Sequence, residues 1–185
     1  MSIFDKVVAA VGPPETEQSR REARVKAQAQ AALRPGDWLS LVLEHHLQIE
    51  KAFAAVKAAP DLSSRRTAQK WLAVILTGHA NAEESVLYPA LALMNEKGHA
   101  GMGYSEQAAA KMQMAALETL NPMSPAYLDK LEHVRGAVAR HMYQEEGTWF
   151  LELRNKTPPA DSAKLTQRFR EEFDRYVGKD KTMAA

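Results

Sequence analysis

Residues 79–89 of this chain read HANAEESVLYP and place His79 four residues before Glu83. Residues 141–150 read HMYQEEGTWF and repeat the same spacing. An α-helix turns about 100° per residue, so side chains four residues apart lie only about 40° from each other around the axis, one turn along. Apolar residues at helical spacing occupy the same face in both stretches. The pattern therefore predicts two helices that each direct a histidine and a glutamate into a helical core.

Pairs of this kind occur three times in the chain, as His46 with Glu50, His79 with Glu83, and His141 with Glu145. A lone inward histidine is more often a hydrogen-bonded core residue than a ligand. An inward glutamate is harder to explain, because a buried carboxylate without a cation or strong donors carries a large desolvation penalty. Two or more such pairs in apolar stripes therefore indicate a metal site, where imidazole and carboxylate bind one cation or bridge two.

The composition restricts which metals and partners are compatible with the chain. None of the 185 residues is cysteine, which excludes disulfides, thiolate nucleophiles and cysteine-bound clusters. A metal must then use imidazole and carboxylate, a donor set that suits iron, with manganese and zinc as less favoured alternatives. Lysine plus arginine (24) nearly balance aspartate plus glutamate (23), so the charge favours neither a nucleic acid nor an anionic membrane as partner.

The overall character of the sequence is that of an ordinary globular protein, with 45% hydrophobic and 25% charged residues. No apolar run approaches the length of a membrane span. The first residues lack the basic and apolar regions of a signal peptide. A cytoplasmic protein is therefore expected.

Four long helical patterns extend outward from the motifs and predict an all-α fold. They run from Trp38 to Ala58, from Ser63 or Ser64 to about Lys97, from about Tyr104 to Leu120, and from Pro125 to about Asn155. Pro89 is expected to kink or interrupt the second helix just past its motif, and the three glycines of residues 98–103 predict a loop. Short connections between long helices predict an up-down-up-down four-helix bundle.

Further helices are predicted on both sides of this bundle. The expected organisation is an N-terminal helical arm (1–36), the bundle (37–156) and a C-terminal helix with its tail (157–185). Within the arm, residues 1–11 form a short amphipathic stretch, and the polar residues that follow form a solvated helix or a partly ordered segment. The C-terminal helix is predicted from Asp161 to Val177.

The motifs resemble those of the hemerythrin-like (HHE cation-binding) family over roughly residues 37–155. The family pattern His-x-x-x-Glu-Glu, followed by an apolar residue, Tyr and Pro, is similar to residues 79–89, and its second such motif is similar to residues 141–150. A Glu-His-His sequence at residues 44–46 matches the family's first ligand histidine best at His46. Together the motifs are specific, although each alone is not.

The resemblance implies a di-iron site inside the bundle. Carried over by resemblance, the ligands are His46, His79, Glu83, His141 and Glu145. The resemblance also implies that the two glutamates bridge the metal ions, since each carboxylate can span two cations and offset their mutual repulsion. Two iron ions are expected, and a single ion remains an alternative.

The third predicted helix departs from the family pattern. The family usually has Glu-His there, with a lysine four residues after the histidine, whereas this chain has Glu106, Gln107 and Lys111. An amide oxygen is a weaker donor to iron than imidazole. Three interpretations follow: the second iron is weakly held or missing, Glu50 compensates as an additional ligand, or the site has lost its metal.

Several neighbouring residues are not predicted to bind metal. Glu84 and Glu146 are expected to face away from the motif glutamates and to be solvated, and His45 to lie beside the site or at the surface. His99 falls in the predicted glycine-rich loop. A tyrosine ligand is possible from Tyr88, Tyr104 or Tyr143, but the spacing does not support it.

The resemblance implies binding of dioxygen, nitric oxide or peroxide at the irons. An oxidoreductase that activates dioxygen or decomposes peroxide is a second hypothesis, for which no catalytic residue is assigned. Iron storage or handling is a third, and a bundle that has lost metal and acts as an interaction module is a fourth. A monomer and a homodimer are both compatible with the sequence.

Overall fold

The computed structural model describes residues 16–178, and within them every regular element is helical, which confirms the all-α prediction. Its six helices are α1 (Glu17–Ala32), α2 (Trp38–Ala58), α3 (Leu62–Ala82, then a π-helical turn Glu83–Leu87 and Tyr88–Leu93), α4 (Lys97–Glu118), α5 (Pro125–Gln144, then a π-helical turn Glu145–Trp149 and Phe150–Lys156) and α6 (Pro159–Val177). The predicted amphipathic stretch 1–11 lies outside the described residues. No described helix is both long and apolar enough to cross a membrane.

Side-chain caps begin the helices that carry the motifs. Asp37 accepts a hydrogen bond from the Ser40 backbone N–H at 3.2 Å at the start of α2. Asp61 caps α3 in the same way and accepts from the Ser64 backbone N–H at 2.9 Å. Helix α3 therefore begins at Leu62, one to two residues before the predicted start. Such caps satisfy backbone donors that the first helical turn leaves unpaired, and each typically stabilises a helix by about 1 kcal/mol.

The core lies between the bundle helices α2, α3, α4 and α5, and α6 adds to it. Its largest fully buried side chains are Trp38, Tyr88, Tyr127, Phe150, Phe169 and Phe173. Helix α6 packs against α2 and α3. Gly78 allows this approach, because a Cβ atom at that position would lie 2.4 Å from Val177 Cγ2. The C-terminal helix is therefore part of the packed core.

Both motif helices contain a π-helical turn, and each turn begins at the motif glutamate, Glu83 in α3 and Glu145 in α5. In a π-helix the backbone hydrogen bond runs from residue i+5 to residue i, which widens the helix, and such turns often occur at functional sites. The irregularity in α3 therefore begins within the motif and before Pro89. The sequence-based expectation placed it just past the motif.

The prediction of a loop at residues 98–103 is wrong, because α4 already begins at Lys97. The turn from α3 lies earlier, at Met94 to Glu96, where Asn95 has a positive φ of 68°. Asparagine tolerates that conformation better than most residues. Gly103 lies within α4 and lets it pack closely against α3, since a Cβ atom there would lie 2.6 Å from Tyr88 Cζ.

Replacing Gly103 tests this packing. Gly103→Ala should lower the free energy of unfolding by about 1–3 kcal/mol, because the added methyl group overlaps the rigid Tyr88 ring. Gly101→Ala is the matched control, since apart from its chain neighbours and the nearby backbone of its own helix no described atom lies within 4 Å of its Cβ position. That change should raise stability by about 0.5–1 kcal/mol through helix propensity. Equal effects of the two substitutions in urea unfolding would contradict the contact.

Candidate metal centre

Four side chains from three helices converge in the middle of the bundle. They are His46 from α2, His79 and Glu83 from α3, and Glu145 from α5, with one potential ligand atom from each lying within 4.8 Å of the others. The residues are fully buried or nearly so. The structure thus brings together four of the six predicted ligands, which belong to all three of the His-x-x-x-Glu pairs.

The converging atoms lack hydrogen bonds. His46 Nε2, Glu83 Oε1, Glu145 Oε2 and both ring nitrogens of His79 have no hydrogen-bond partner among the residues that the structure describes. His46 Nε2 lies 3.3 Å from Glu145 Oε2, and His79 Nε2 lies 3.3 Å from Glu83 Oε1. Buried polar atoms left without partners are rare and costly. Two imidazoles and two carboxylates in this state fit a divalent ion such as iron, manganese or zinc.

Burial sets the charge state of this cluster. It lowers the pKa of His79 well below its usual value, and the nearby charges of His46 and His45 lower it further. It raises the pKa of Glu83 well above its usual value, with the Glu145 charge adding to the effect. A neutral imidazole is the form that binds metal. A cation between the ligands would offset the cost of ionising Glu83, which otherwise opposes the Glu145 carboxylate.

His46 is oriented by Glu146 of α5, which is held in turn by Arg24 from α1 outside the four-helix bundle. Its Nδ1 lies 2.6 Å from Glu146 Oε1, and Arg24 of α1 donates to Glu146 Oε2 at 2.5 Å. Burial lowers the pKa of His46, but the adjacent Glu145 and Glu146 carboxylates outweigh burial and raise it to about 9. A carboxylate on Nδ1 leaves Nε2 directed at the cluster, an arrangement that commonly supports histidine ligands.

Glu146 corrects the sequence-based expectation. It was predicted to be solvated, yet it is 2% exposed and contacts a ligand histidine. The expectation assumed a regular α-helix, in which adjacent residues point about 100° apart. The π-helical turn that begins at Glu145 changes this rotation, and α1 covers the position from outside.

The predicted ligand His141 lies next to the cluster and is held in a different network. Its Nδ1 is 2.8 Å from Glu106 Oε2, and its Nε2 is 3.0 Å from the Tyr88 hydroxyl and 3.2 Å from Glu145 Oε1. Burial lowers the pKa of His141, but the Glu145 charge and the Glu106 hydrogen bond outweigh burial and raise it well above the usual value. In this structure His141 therefore interacts with the phenol and the carboxylates.

Tyr88 is the site residue that the spacing argument missed. Its hydroxyl donates to Glu145 Oε1 at 2.9 Å and accepts from Gln107 Nε2 at 2.7 Å. In a regular helix, five residues separate Tyr88 from Glu83 by about 140°. The π-helical turn closes that gap, and the Tyr88 backbone N–H bonds the Glu83 carbonyl directly. The sequence feature that could have identified Tyr88 is its position five residues after a motif glutamate, but that spacing indicates a site residue only if the helix contains a π-helical turn.

Comparison with known proteins agrees with this geometry. Residues 39–153 match the hemerythrin HHE cation binding domain, which is more than half of the chain. The chain belongs to this family. It is also 33% identical over 98 residues to a DNA nickase from Nostoc sp. (strain PCC 7120 / SAG 25.82 / UTEX 2576), covering 53% of this chain and 27% of that protein. The chain thus spans about a quarter of that relative's length, and no solved structure matches it.

One predicted ligand of the hemerythrin-like site, Glu50, lies elsewhere. Its side chain is 47% exposed and is paired with Arg24 at 3.1 Å. His46 is fully buried, and Glu50 sits one turn further along α2, about 40° around the axis. That offset directs Glu50 toward α1 at the surface. In this structure Glu50 therefore lies outside the cluster.

Two further expectations concern the surroundings of the hemerythrin-like site. Glu84 lies outside the cluster, as predicted, but it is half-buried and paired with Lys111 at 2.8 Å where solvation was expected. His45 is 3% exposed and stacks on Phe173 of α6, with ring centroids 3.7 Å apart. His45 thus packs beside the site, which was one of the two places expected for it.

A second group of candidate ligands lies near the end of the bundle. Glu96, His99 and Glu152 have ligand atoms within 4.8 Å of one another, and all three are half-buried. Lys156 already pairs with Glu96 at 2.7 Å, and the His99 ring stacks on Trp149. His99 therefore lies in a helix with ionic and aromatic contacts, whereas the sequence placed it in a loop.

The two carboxylate partners of Arg24 allow a test of ligand support. Glu146→Gln should weaken metal binding by about 10–100-fold, because it removes the charged acceptor on His46 Nδ1. Glu50→Gln removes the other Arg24 partner without touching His46 and should leave affinity unchanged. Competition titration with a chelator measures both. An affinity loss for Glu50→Gln as large as that for Glu146→Gln would restore Glu50 as a candidate ligand.

Proposed function

We propose that this protein binds non-haem iron at the cluster of His46, His79, Glu83 and Glu145, and that the bound iron takes up or reacts with dioxygen, nitric oxide or peroxide. The observation that carries the proposal is the set of converging ligand atoms that have no hydrogen-bond partner within the described residues. Membership of the hemerythrin HHE family supports iron as the metal. Iron in such a site supplies an electrophilic, redox-active centre for small oxygen- and nitrogen-containing ligands.

The burial of the site favours a small ligand. All four cluster residues are at most 3% exposed, so the protein around them excludes bulk water. A surface cavity of about 400 Å³ lies between α1, α2 and α5, and its lining includes Arg24 and Glu146 but none of the four cluster residues. A diatomic molecule or peroxide is small enough to pass side chains that would exclude a larger substrate. Glu146 connects the cavity to His46.

The chain also provides a proton beside the cluster, which favours reaction with peroxide as well as binding. Burial raises the pKa of Tyr88 well above its usual value, and the charges of Glu145 and Glu83 raise it further. The phenol therefore stays protonated, and it donates to Glu145 Oε1 at 2.9 Å. The Tyr88 hydroxyl would thus hold a proton one hydrogen bond away from a carboxylate that would bind the iron.

Metal content of protein from iron-supplemented cells tests the proposal. The wild type should contain iron, and Glu83→Gln should lose most of it, because the amide replaces a buried ionised ligand. Glu84→Gln is the matched control, since Glu84 adjoins Glu83 but pairs with Lys111 outside the cluster. Elemental analysis gives the content. Wild-type protein that stays metal-free after reconstitution, or equal losses in both variants, would contradict iron binding at this cluster.

Reactivity is measured on the iron-loaded wild type. Ferrous protein exposed to nitric oxide should give a new visible absorption spectrum and a changed paramagnetic resonance signal, and peroxide should be consumed faster than by Glu83→Gln. Spectra that do not respond to dioxygen, nitric oxide or peroxide would leave iron binding intact and would argue for storage or handling of the metal.

A further inference from the structure

In each of the two cluster carboxylates, one oxygen accepts a hydrogen bond and the other does not. The side of the site where the oxygens accept hydrogen bonds is called the partnered half. Glu83 Oε1 and Glu145 Oε2 point at His79 and His46 and have no hydrogen-bond partner among the described residues. The opposite oxygens, Glu83 Oε2 and Glu145 Oε1, both accept hydrogen bonds. The site is therefore asymmetric: the carboxylate oxygens of one half accept no hydrogen bond, and those of the partnered half do.

The Tyr88 hydroxyl occupies the centre of the partnered half. Four polar atoms surround it, namely Gln107 Nε2 at 2.7 Å, Glu145 Oε1 at 2.9 Å, His141 Nε2 at 3.0 Å and Glu83 Oε2 at 3.4 Å. These atoms come from α3, α4 and α5, and the tyrosine itself is fully buried. Two carboxylate oxygens and an imidazole nitrogen around one point are also the donor set that a second cation would use.

Gln107 fixes the phenol in this position. Its amide nitrogen donates to Glu83 Oε2 at 2.6 Å, so the N–H side of the amide faces the site. The same nitrogen has a second hydrogen, which it directs at the Tyr88 oxygen. An N–H group has no lone pair for a metal ion. A histidine at this position would instead offer an imidazole nitrogen.

We propose that this centre holds a single metal ion, bound by His46, His79, Glu83 and Glu145, and that the Tyr88 hydroxyl occupies the position of a second ion. The inference rests on the proposed metal binding and specifies its stoichiometry. The hydrogens of Tyr88 and Gln107 supply the carboxylate oxygens with the partners that a second cation would otherwise provide. Placing an ion there would require Tyr88 to move and would break its hydrogen bonds.

The experiment compares metal stoichiometry in matched variants of the full chain. Apo protein is reconstituted anaerobically with excess ferrous iron, unbound metal is removed, and ions per chain are counted by elemental analysis. The wild type should bind one ion per chain. The double substitution Tyr88→Phe with Gln107→His should bind two, because it removes the hydroxyl and adds an imidazole. Tyr104→Phe should still bind one, since the Tyr104 hydroxyl bonds the Glu84 carbonyl outside the cluster.

The outcomes separate this inference from the proposed function. A wild type that binds no iron removes the proposed function and this inference with it. A wild type that binds two ions overturns the inference and leaves iron binding intact. One ion in the wild type and still one in a folded double variant overturns the role given to Tyr88 and Gln107.

The visible spectrum of the ferric wild type is a second readout that needs no engineered site. A phenol that only donates and accepts hydrogen bonds gives no phenolate-to-iron charge-transfer band, so none is expected. Such a band, lost in Tyr88→Phe and kept in Tyr104→Phe, would show that Tyr88 ligates the metal and would overturn the proposal.

Discussion

Two ionisable carboxyl groups, Glu83 and Glu145, lie at the centre of this protein without access to water. In residues 16–178 their ion pairs involve only histidines, and lysine and arginine take no part. Buried carboxylates are tolerated only where cations or strong donors compensate for lost hydration. The two sides of the pair differ in this respect. On one side the carboxylate oxygens have no hydrogen-bond partner among the described residues, and on the other the Tyr88 phenol and the Gln107 amide donate to them.

The backbone geometry serves the same requirement. Each π-helical turn begins at one of these glutamates. The wider turn in α3 brings Tyr88 back beneath Glu83, and the turn in α5 lets Glu146 reach His46. Gly103 then leaves room for the Tyr88 ring against α4. These features form one packing solution, because a bulkier residue at 103 would displace the ring whose hydroxyl fills the partnered half of the site.

The resemblance to the hemerythrin-like family implied that His46, His79, Glu83 and Glu145 lie in one site. Helical periodicity predicted the helices of the bundle and their inward His and Glu side chains, because burial of an amphipathic face is a local property of each helix. It could not predict the roles of Tyr88 and Glu146, which depend on π-helical turns that a regular helix excludes. It also could not place Glu50, whose exposed position depends on its pairing with Arg24 of α1. The glycines of residues 98–103 predicted a loop, since the contact with Tyr88 is a tertiary one.

The helices outside the four-helix bundle complete the site. Helix α1 provides Arg24, which holds the Glu146 carboxylate against His46. Helix α6 provides Phe169 and Phe173, whose rings stack on His45, and the Phe169 ring centroid lies 6.5 Å from that of His79. One helix thus supplies charge to orient a ligand, and the other supplies apolar surface that excludes water. Excluding water strengthens the attraction between the carboxylates and a cation. The same exclusion raises the cost of leaving those carboxylates without one, so the two outer helices should increase metal affinity without contributing a ligand.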